Sequence, residues 1–222
     1  MKTDQDLQKR VMDELAWDPS IDATKVGVIV HDGIVTLTGH VPTYTEKTAA
    51  ERITQRVSGV KAVVQEIDVK LPGGFKRTDE DIAQAAINTL RWNTNVPDSK
   101  IQLKVEDGWI TLDGTVDWNY QREAVRNAVD KLAGVLGVTN RIYIKPSVKA
   151  LDVKTKIKHA FERNAILDAD NIQIRTEGSK VILEGTVQSW AEKQQAQMAA
   201  WAAPGVSEVA NNIGIVVREH AY

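Results

Sequence analysis

Apolar residues along this chain switch between two periods, and the switch occurs in the same order three times. A stretch with apolar positions four apart comes first: Leu7, Val11 and Leu15; then Ile82, Ala86 and Leu90; then Val153, Ile157 and Phe161. That spacing predicts one apolar helical stripe. Alternation of period two follows at Val26, Val28 and Val30, at Ile101, Leu103 and Val105, and at Ile172, Ile174 and Thr176. Turn residues interrupt it at Asp32-Gly33, Asp107-Gly108 and Glu177-Gly178-Ser179, before a second β-rich run. This predicts a β-hairpin. A second helical stripe is expected at Ala50, Ile53 and Val57, at Val125, Ala128 and Leu132, and at Ala196, Ala199 and Ala203. A last strand carries Val63, Ile67 and Val69, then Val138, Ile142 and Ile144, then Val209, Ile213 and Ile215.

Two glycines per copy fix the register of this repeat. Gly39, Gly114 and Gly185 close the second strand, and Gly59, Gly134 and Gly205 precede a valine 20 residues later. The copies are offset by 75 residues and then by 71. A sequence that keeps two glycines and their flanks in register is a tandem array. The expected fold class is α+β: three tandem α-β-β-α-β modules, each a three-stranded sheet covered on one face by two helices. The expected boundaries are residues 1–71, 78–146 and 149–217, with 72–77 (Pro-Gly-Gly-Phe-Lys-Arg) as a linker.

Local signals agree with these elements. Thr3-x-x-Asp6 and Thr78-x-x-Asp81 resemble capping boxes for the first helix, and Thr43-x-x-Glu46 and Ser189-x-x-Glu192 for the second. Lys149 stands at the cap position of the third copy, whose helix is therefore expected to start differently. The Gly-Val steps suit left-handed helix termination.

Read together, the strand ending in Leu-x-Gly-x-Val (Leu37-Thr38-Gly39-His40-Val41, Leu112-Asp113-Gly114-Thr115-Val116, Leu183-Glu184-Gly185-Thr186-Val187), the later Gly-Val and a closing strand such as Val209-Ala210-Asn211-Asn212-Ile213 resemble the BON domain family, named for bacterial osmotic-stress and nodulation proteins. The resemblance covers nearly the whole chain, three times over. It implies a non-enzymatic protein: binding of phospholipid or envelope surfaces, protein interaction, stress tolerance and association with transport. Many members are periplasmic and carry signal peptides. It supplies no fixed ligand-contact motif.

Composition narrows the partners. There are 28 basic and 30 acidic side chains, so no overall field favours nucleic acid, and no nucleic-acid partner is expected. No apolar run is long enough to cross a bilayer, and the N-terminus lacks the apolar core of a secretory signal. As written, the chain reads as cytoplasmic, or as the mature form of a periplasmic or envelope protein whose signal has been removed. No cysteine is present, which removes thiol chemistry. His31, His40, His159 and His220 form no metal-spaced cluster, and no serine sits on a nucleophile elbow. No catalytic residue, cofactor or metal is expected. Asp168-Ala169-Asp170-Asn171 is better read as a loop than as a calcium site, and Gly134-Val135-Leu136-Gly137 as a helix stop than as an RNA clamp.

The surface candidates are aromatic and basic. Six tryptophans stand against two phenylalanines. Trp17 and Trp92 are equivalent, just past the first helical stripe, where Arg163 replaces them; they either fold back on the core or stand free. Trp109 follows a hairpin turn. In the third copy Trp190, Met198 and Trp201 oppose the alanine stripe, at positions where the other copies carry polar residues such as Gln55 and Asp130. Trp190 and Trp201 come within about 20° of each other around the helix. Such a patch predicts packing against another copy, another subunit in a homo-oligomer or other protein partner, or a membrane interface. Lys149, Lys154 and Lys158, with Lys145 and Lys156, form a basic cluster that reads either as a solvated face or as a contact for phospholipid headgroups, Lys154 and Lys158 sharing one helix face.

Overall fold

The computed structural model describes residues 4–73, 77–145, 152–164 and 171–216. The first module runs α1 (Asp4–Trp17), β1 (Val26–His31), β2 (Ile34–Val41), α2 (Tyr44–Arg56) and β3 (Ala62–Val69). The second repeats this order as α3 (Asp79–Trp92), β4 (Ile101–Glu106), β5 (Trp109–Val116), α4 (Asn119–Val129) and β6 (Gly137–Ile144). The third does so as α5 (Val153–Glu162), β7 (Ile172–Glu177), β8 (Lys180–Val187), α6 (Trp190–Trp201) and β9 (Glu208–Ile215). Each sheet has its hairpin partner antiparallel and its last strand parallel to the central one. Register is identical across modules: Gly39, Gly114 and Gly185 face Val26, Ile101 and Ile172 on one side and Ile67, Ile142 and Ile213 on the other.

Each module has its own core. Leu7, Val11 and Leu15 meet Leu37, Ile53 and Ile67; Ile82, Ala86 and Leu90 meet Leu112, Val125 and Ile142; Val153, Ile157 and Phe161 meet Leu183, Ala196 and Ile213. The three marker glycines share one reason for being glycine. All have positive φ, and a Cβ on each would collide with a backbone carbonyl oxygen, that of Lys25, Lys100 and Asn171 respectively.

Capping follows the sequence in part. Thr78 and Asp81 exchange both bonds of a capping box. Thr43 and Ser189 accept from the amides of Glu46 and Glu192. In the second module Gln121 reaches back to the amides of Asp117 and Trp118. α5 begins at Val153, after Asp152 in a left-handed conformation with no side-chain cap. Thr3 and Lys149 lie outside the described residues. The second-helix stripe is wider than apolar spacing indicates, because Thr54, Val129 and Ala200 are fully buried. The expected stripe members Ala128 and Ala199 are only half-buried. The Gly-Val steps fall just beyond the helix ends, with positive φ at Gly59, Gly134 and Gly205.

Two repeated polar contacts were invisible to a search for apolar stripes. The carboxylates of Asp4 and Asp79 accept from the hairpin-turn amides of Asp32 and Gly33, and of Asp107 and Gly108. Gln65, Asn140 and Asn211 project from the last strand to donate to the carbonyls of Lys47, Arg122 and Lys193 in the second helix. The same amide oxygens accept from the backbone of Ile67, Ile142 and Ile213. Each therefore ties helix to strand with one side chain.

Candidate interaction surfaces

Trp17 and Trp92 end α1 and α3 and stand free of the core, 85% and 86% exposed. An indole left in water loses the burial of a large apolar surface, so folding does not account for it. Trp92 borders a shallow depression with Asn88, Thr89, Asn93 and Thr94. Arg163, just past α5, takes this position in the third module and is also exposed. Trp109 behaves otherwise. Its ring lies over Gly137 on the open sheet face, and its Nε1–H donates to Thr139 Oγ1 at 2.8 Å.

The basic candidates gather on the third module. Lys154 and Lys158 are exposed on α5 and, with Gln173 and Arg175 of β7, rim a cleft of about 310 Å³ floored by Phe161, Ile172 and Ile174. Arg175 lies 3.8 Å from both Glu177 and Glu184, a loose association. The equivalents of the two lysines are Gln8 and Met12 in the first module and Ala83 and Ile87 in the second, so the cationic rim is confined to one copy. Lys149 lies outside the described residues, as do His220, Asp168 and Asp170.

Trp190, Met198 and Trp201 do not form one patch. Met198 is exposed at 61%. Trp190 is half-buried beneath Lys193, whose Nζ lies 5.3 Å from the ring centroid and donates to the Ile213 carbonyl. Burial holds the Lys193 pKa below its ordinary value. Trp201 packs against the cores of both the second and third modules, under the Arg122 guanidinium at 4.8 Å. It is a contact within the chain.

That contact belongs to a set. Gln55, Asp130 and Trp201 occupy one repeat position at the C-terminal end of the second helix. Each meets the N-terminal half of another second helix. The Asp130 carbonyl accepts from Thr45 Oγ1, while the neighbouring Tyr44 packs on the second module's core. Trp201 meets Arg122, and Gln55 accepts from Gln194 Nε2 at 3.3 Å. The sense is second to first, third to second, first to third. Three head-to-tail contacts of the same hand close a pseudo-three-fold ring around α2, α4 and α6.

Among the histidines, His31 sits 3.4 Å from Asp32, with Asp4 nearby, at an exposed hairpin tip. The Asp4 carboxylate is already engaged by the turn amides. His159 Nδ1 pairs with Glu162 at 3.0 Å. Among the described residues no helix is long and apolar enough to cross a membrane.

Against known proteins, the BON domain profile matches three times, over residues 3–70, 78–146 and 150–216. The chain belongs to the BON domain family, as three tandem copies. It is 28% identical over 127 residues to Osmotically-inducible protein Y of Escherichia coli (strain K12), a match covering 54% of this chain and 63% of that protein. The chain thus spans less than two thirds of that relative's length. Among solved structures, CdsD, a structural protein of the type III secretion system of Chlamydia trachomatis, aligns over 96% of this chain and 94% of its own at 16% identity and a TM-score of 0.28. The C-terminal domain of the same protein aligns over 95% and 98% at 15% identity and a TM-score of 0.26. Superpositions this loose describe no shared arrangement.

Proposed function

We propose that this chain is a non-enzymatic, stress-associated adaptor that binds anionic phospholipid surfaces peripherally. The observation that carries the reading is the cationic rim of the third module. Lys154 lies in the first turn of α5, which holds no acidic residue. Cations at a helix N-terminus oppose the helix dipole. Neither Lys154 nor Lys158 has an ion-pair partner among the described residues. Lysines set against the helix dipole and without an internal ion pair suit an external anion such as a headgroup phosphate. Trp17 and Trp92 add amphipathic rings of the kind that settle at a bilayer–water interface. The stress association rests on family membership and on the likeness to an osmotically inducible protein. An anionic lipid surface can be met from either side of an envelope membrane.

Flotation with neutral and anionic vesicles across a salt series tests the reading. Binding to anionic vesicles is expected, weakening as salt rises. Lys154→Glu/Lys158→Glu should reduce affinity at least 10-fold, since each nearby basic residue contributes about 1 kcal/mol on an anionic surface. Trp17→Ala/Trp92→Ala should weaken binding to vesicles without altering its salt slope. Absent binding, or binding indifferent to salt and to the lysine changes, overturns the headgroup reading.

A further inference from the structure

Trp17 and Trp92 occupy one repeat position and stand equally free of the core, yet their surroundings differ in chemistry. Trp92 borders a shallow depression of about 580 Å³ with Asn88, Thr89, Asn93 and Thr94, amides and hydroxyls with no charged side chain among them. The same positions around Trp17 hold Asp13, Glu14, Asp18 and Pro19. The third module has His159 and Arg163 in place of Asn88 and Trp92, so an indole set among amides and hydroxyls occurs here in the second module alone. The protein itself orients the two amides. Asn93 Oδ1 accepts from the Asn95 backbone amide at 3.0 Å, and Asn88 Oδ1 accepts from Gln84 Nε2 at 3.2 Å. With both oxygens held, the two Nδ2 groups and the hydroxyls of Thr89 and Thr94 have no partner among the described residues.

We infer that this depression is a binding site for a neutral saccharide. The negative face of an indole attracts the weakly positive C–H bonds on the apolar face of a pyranose ring. Amide N–H groups and hydroxyls beside it match the hydroxyls at the edge of the sugar, which both donate and accept. The lining supplies no charge to pair with a phosphate, a carboxylate or an ammonium group, so an ionic ligand gains nothing there that water does not give. The volume lies within the roughly 300–1,000 Å³ of small-ligand sites. Because the depression is shallow, it fits a chain of sugars lying across it with one side in water. The site goes beyond the lipid reading and does not rest on it. Lys154 and Lys158 take no part, and a sugar stacked on Trp92 excludes a bilayer from that ring.

The probes are two uncharged oligosaccharides, maltohexaose and chitohexaose, titrated separately into the isotope-labelled full chain and followed by nuclear magnetic resonance. The Trp92 indole N–H signal, identified by its loss in Trp92→Ala, should shift with at least one of them and saturate, while the Trp17 signal stays in place. The backbone signals of Asn93 and Thr94 report on the variants. Trp92→Ala should abolish binding, and Asn88→Ala should weaken it several-fold through the lost amide donor. Both side chains are exposed, so the fold is retained in each variant. Affinity should be the same at low and high salt and in Lys154→Glu/Lys158→Glu, which separates failure of this site from failure of the headgroup reading. No shift with either oligosaccharide overturns the site. So does an equal shift at Trp17, or binding that survives Trp92→Ala or Asn88→Ala undiminished.

Discussion

At the position shared by Gln55, Asp130 and Trp201, Asp130 alone carries a charge. Its Oδ1 is buried without a partner, and burial lifts its pKa above the ordinary 3.8, against the opposing pull of Lys131 and Arg126. Because the folded-state pKa is raised, the stability tied to this group is complete when the carboxyl is protonated. It is lost as pH rises through the folded pKa, and the full penalty persists at neutral pH. Asp130→Asn should therefore be more stable than the parent at about pH 7, the difference shrinking towards about pH 3. Denaturant titrations at both pH values check this, and a variant less stable at neutral pH would show that the carboxylate has a stabilising partner. Asp22 runs the other way. Bonds from Thr24 and Lys25 hold it at about 2, but it is exposed and its effect on stability is small. The marker glycines were legible at this scale because glycine is recognisable by name. The amide series at Gln65, Asn140 and Asn211 was equally regular in sequence, while Asp4 and Asp79 recur in two copies and Ala150 takes that position in the third. They went unread because a search for apolar periodicity passes over polar side chains that point inward.

Strand and helix order could be read from hydrophobic spacing because each element buries one face, and period two or four survives in all three copies. The weak points were elements whose buried positions are not strongly apolar. Thr54 lines the second-helix stripe although threonine is mostly an exposed residue, and in the all-alanine stretch of α6 the sequence does not tell buried Ala200 from its half-buried neighbour Ala199. The last strand shows a gap in its alternation between Val63 and Ile67, and likewise in the other modules. The structure fills that gap with Gln65, Asn140 and Asn211, which bind the second helix to the strand. Asn140→Ala leaves the Arg122 carbonyl and the Ile142 amide without their side-chain partner, and should cost roughly 1–3 kcal/mol. Its measurement is chemical denaturation, with Asn140→Gln as the conservative comparison. A loss below about 0.5 kcal/mol, the range of ordinary surface changes, would mean that water replaces both bonds.

The arrangement of modules is where sequence reading stops, because offsets compare equivalent positions and do not say which positions touch. Trp201 looked like one member of an exposed patch, since the same position is polar elsewhere in the repeat. The ring explains that difference: the position faces a different neighbour in each module, a hydroxyl-bearing helix end beside Asp130, an amide beside Gln55 and a guanidinium beside Trp201. Trp201 should therefore couple the unfolding of the second and third modules. Trp201→Ala removes a half-buried ring from two cores, and a loss of about 1–3 kcal/mol is expected, below the range for a fully buried tryptophan. Met198→Ala, on the same helix but 61% exposed, should stay within about 0.5 kcal/mol of the parent. Calorimetry of the Trp201 variant should also show the second and third modules melting at separated temperatures, because the side chain that spans their cores is gone. If Trp201→Ala and Met198→Ala prove alike in stability and in the shape of the transition, the indole does not join the modules. The head-to-tail closure around α2, α4 and α6 would then lose its strongest contact, and the surface reading of that face would return.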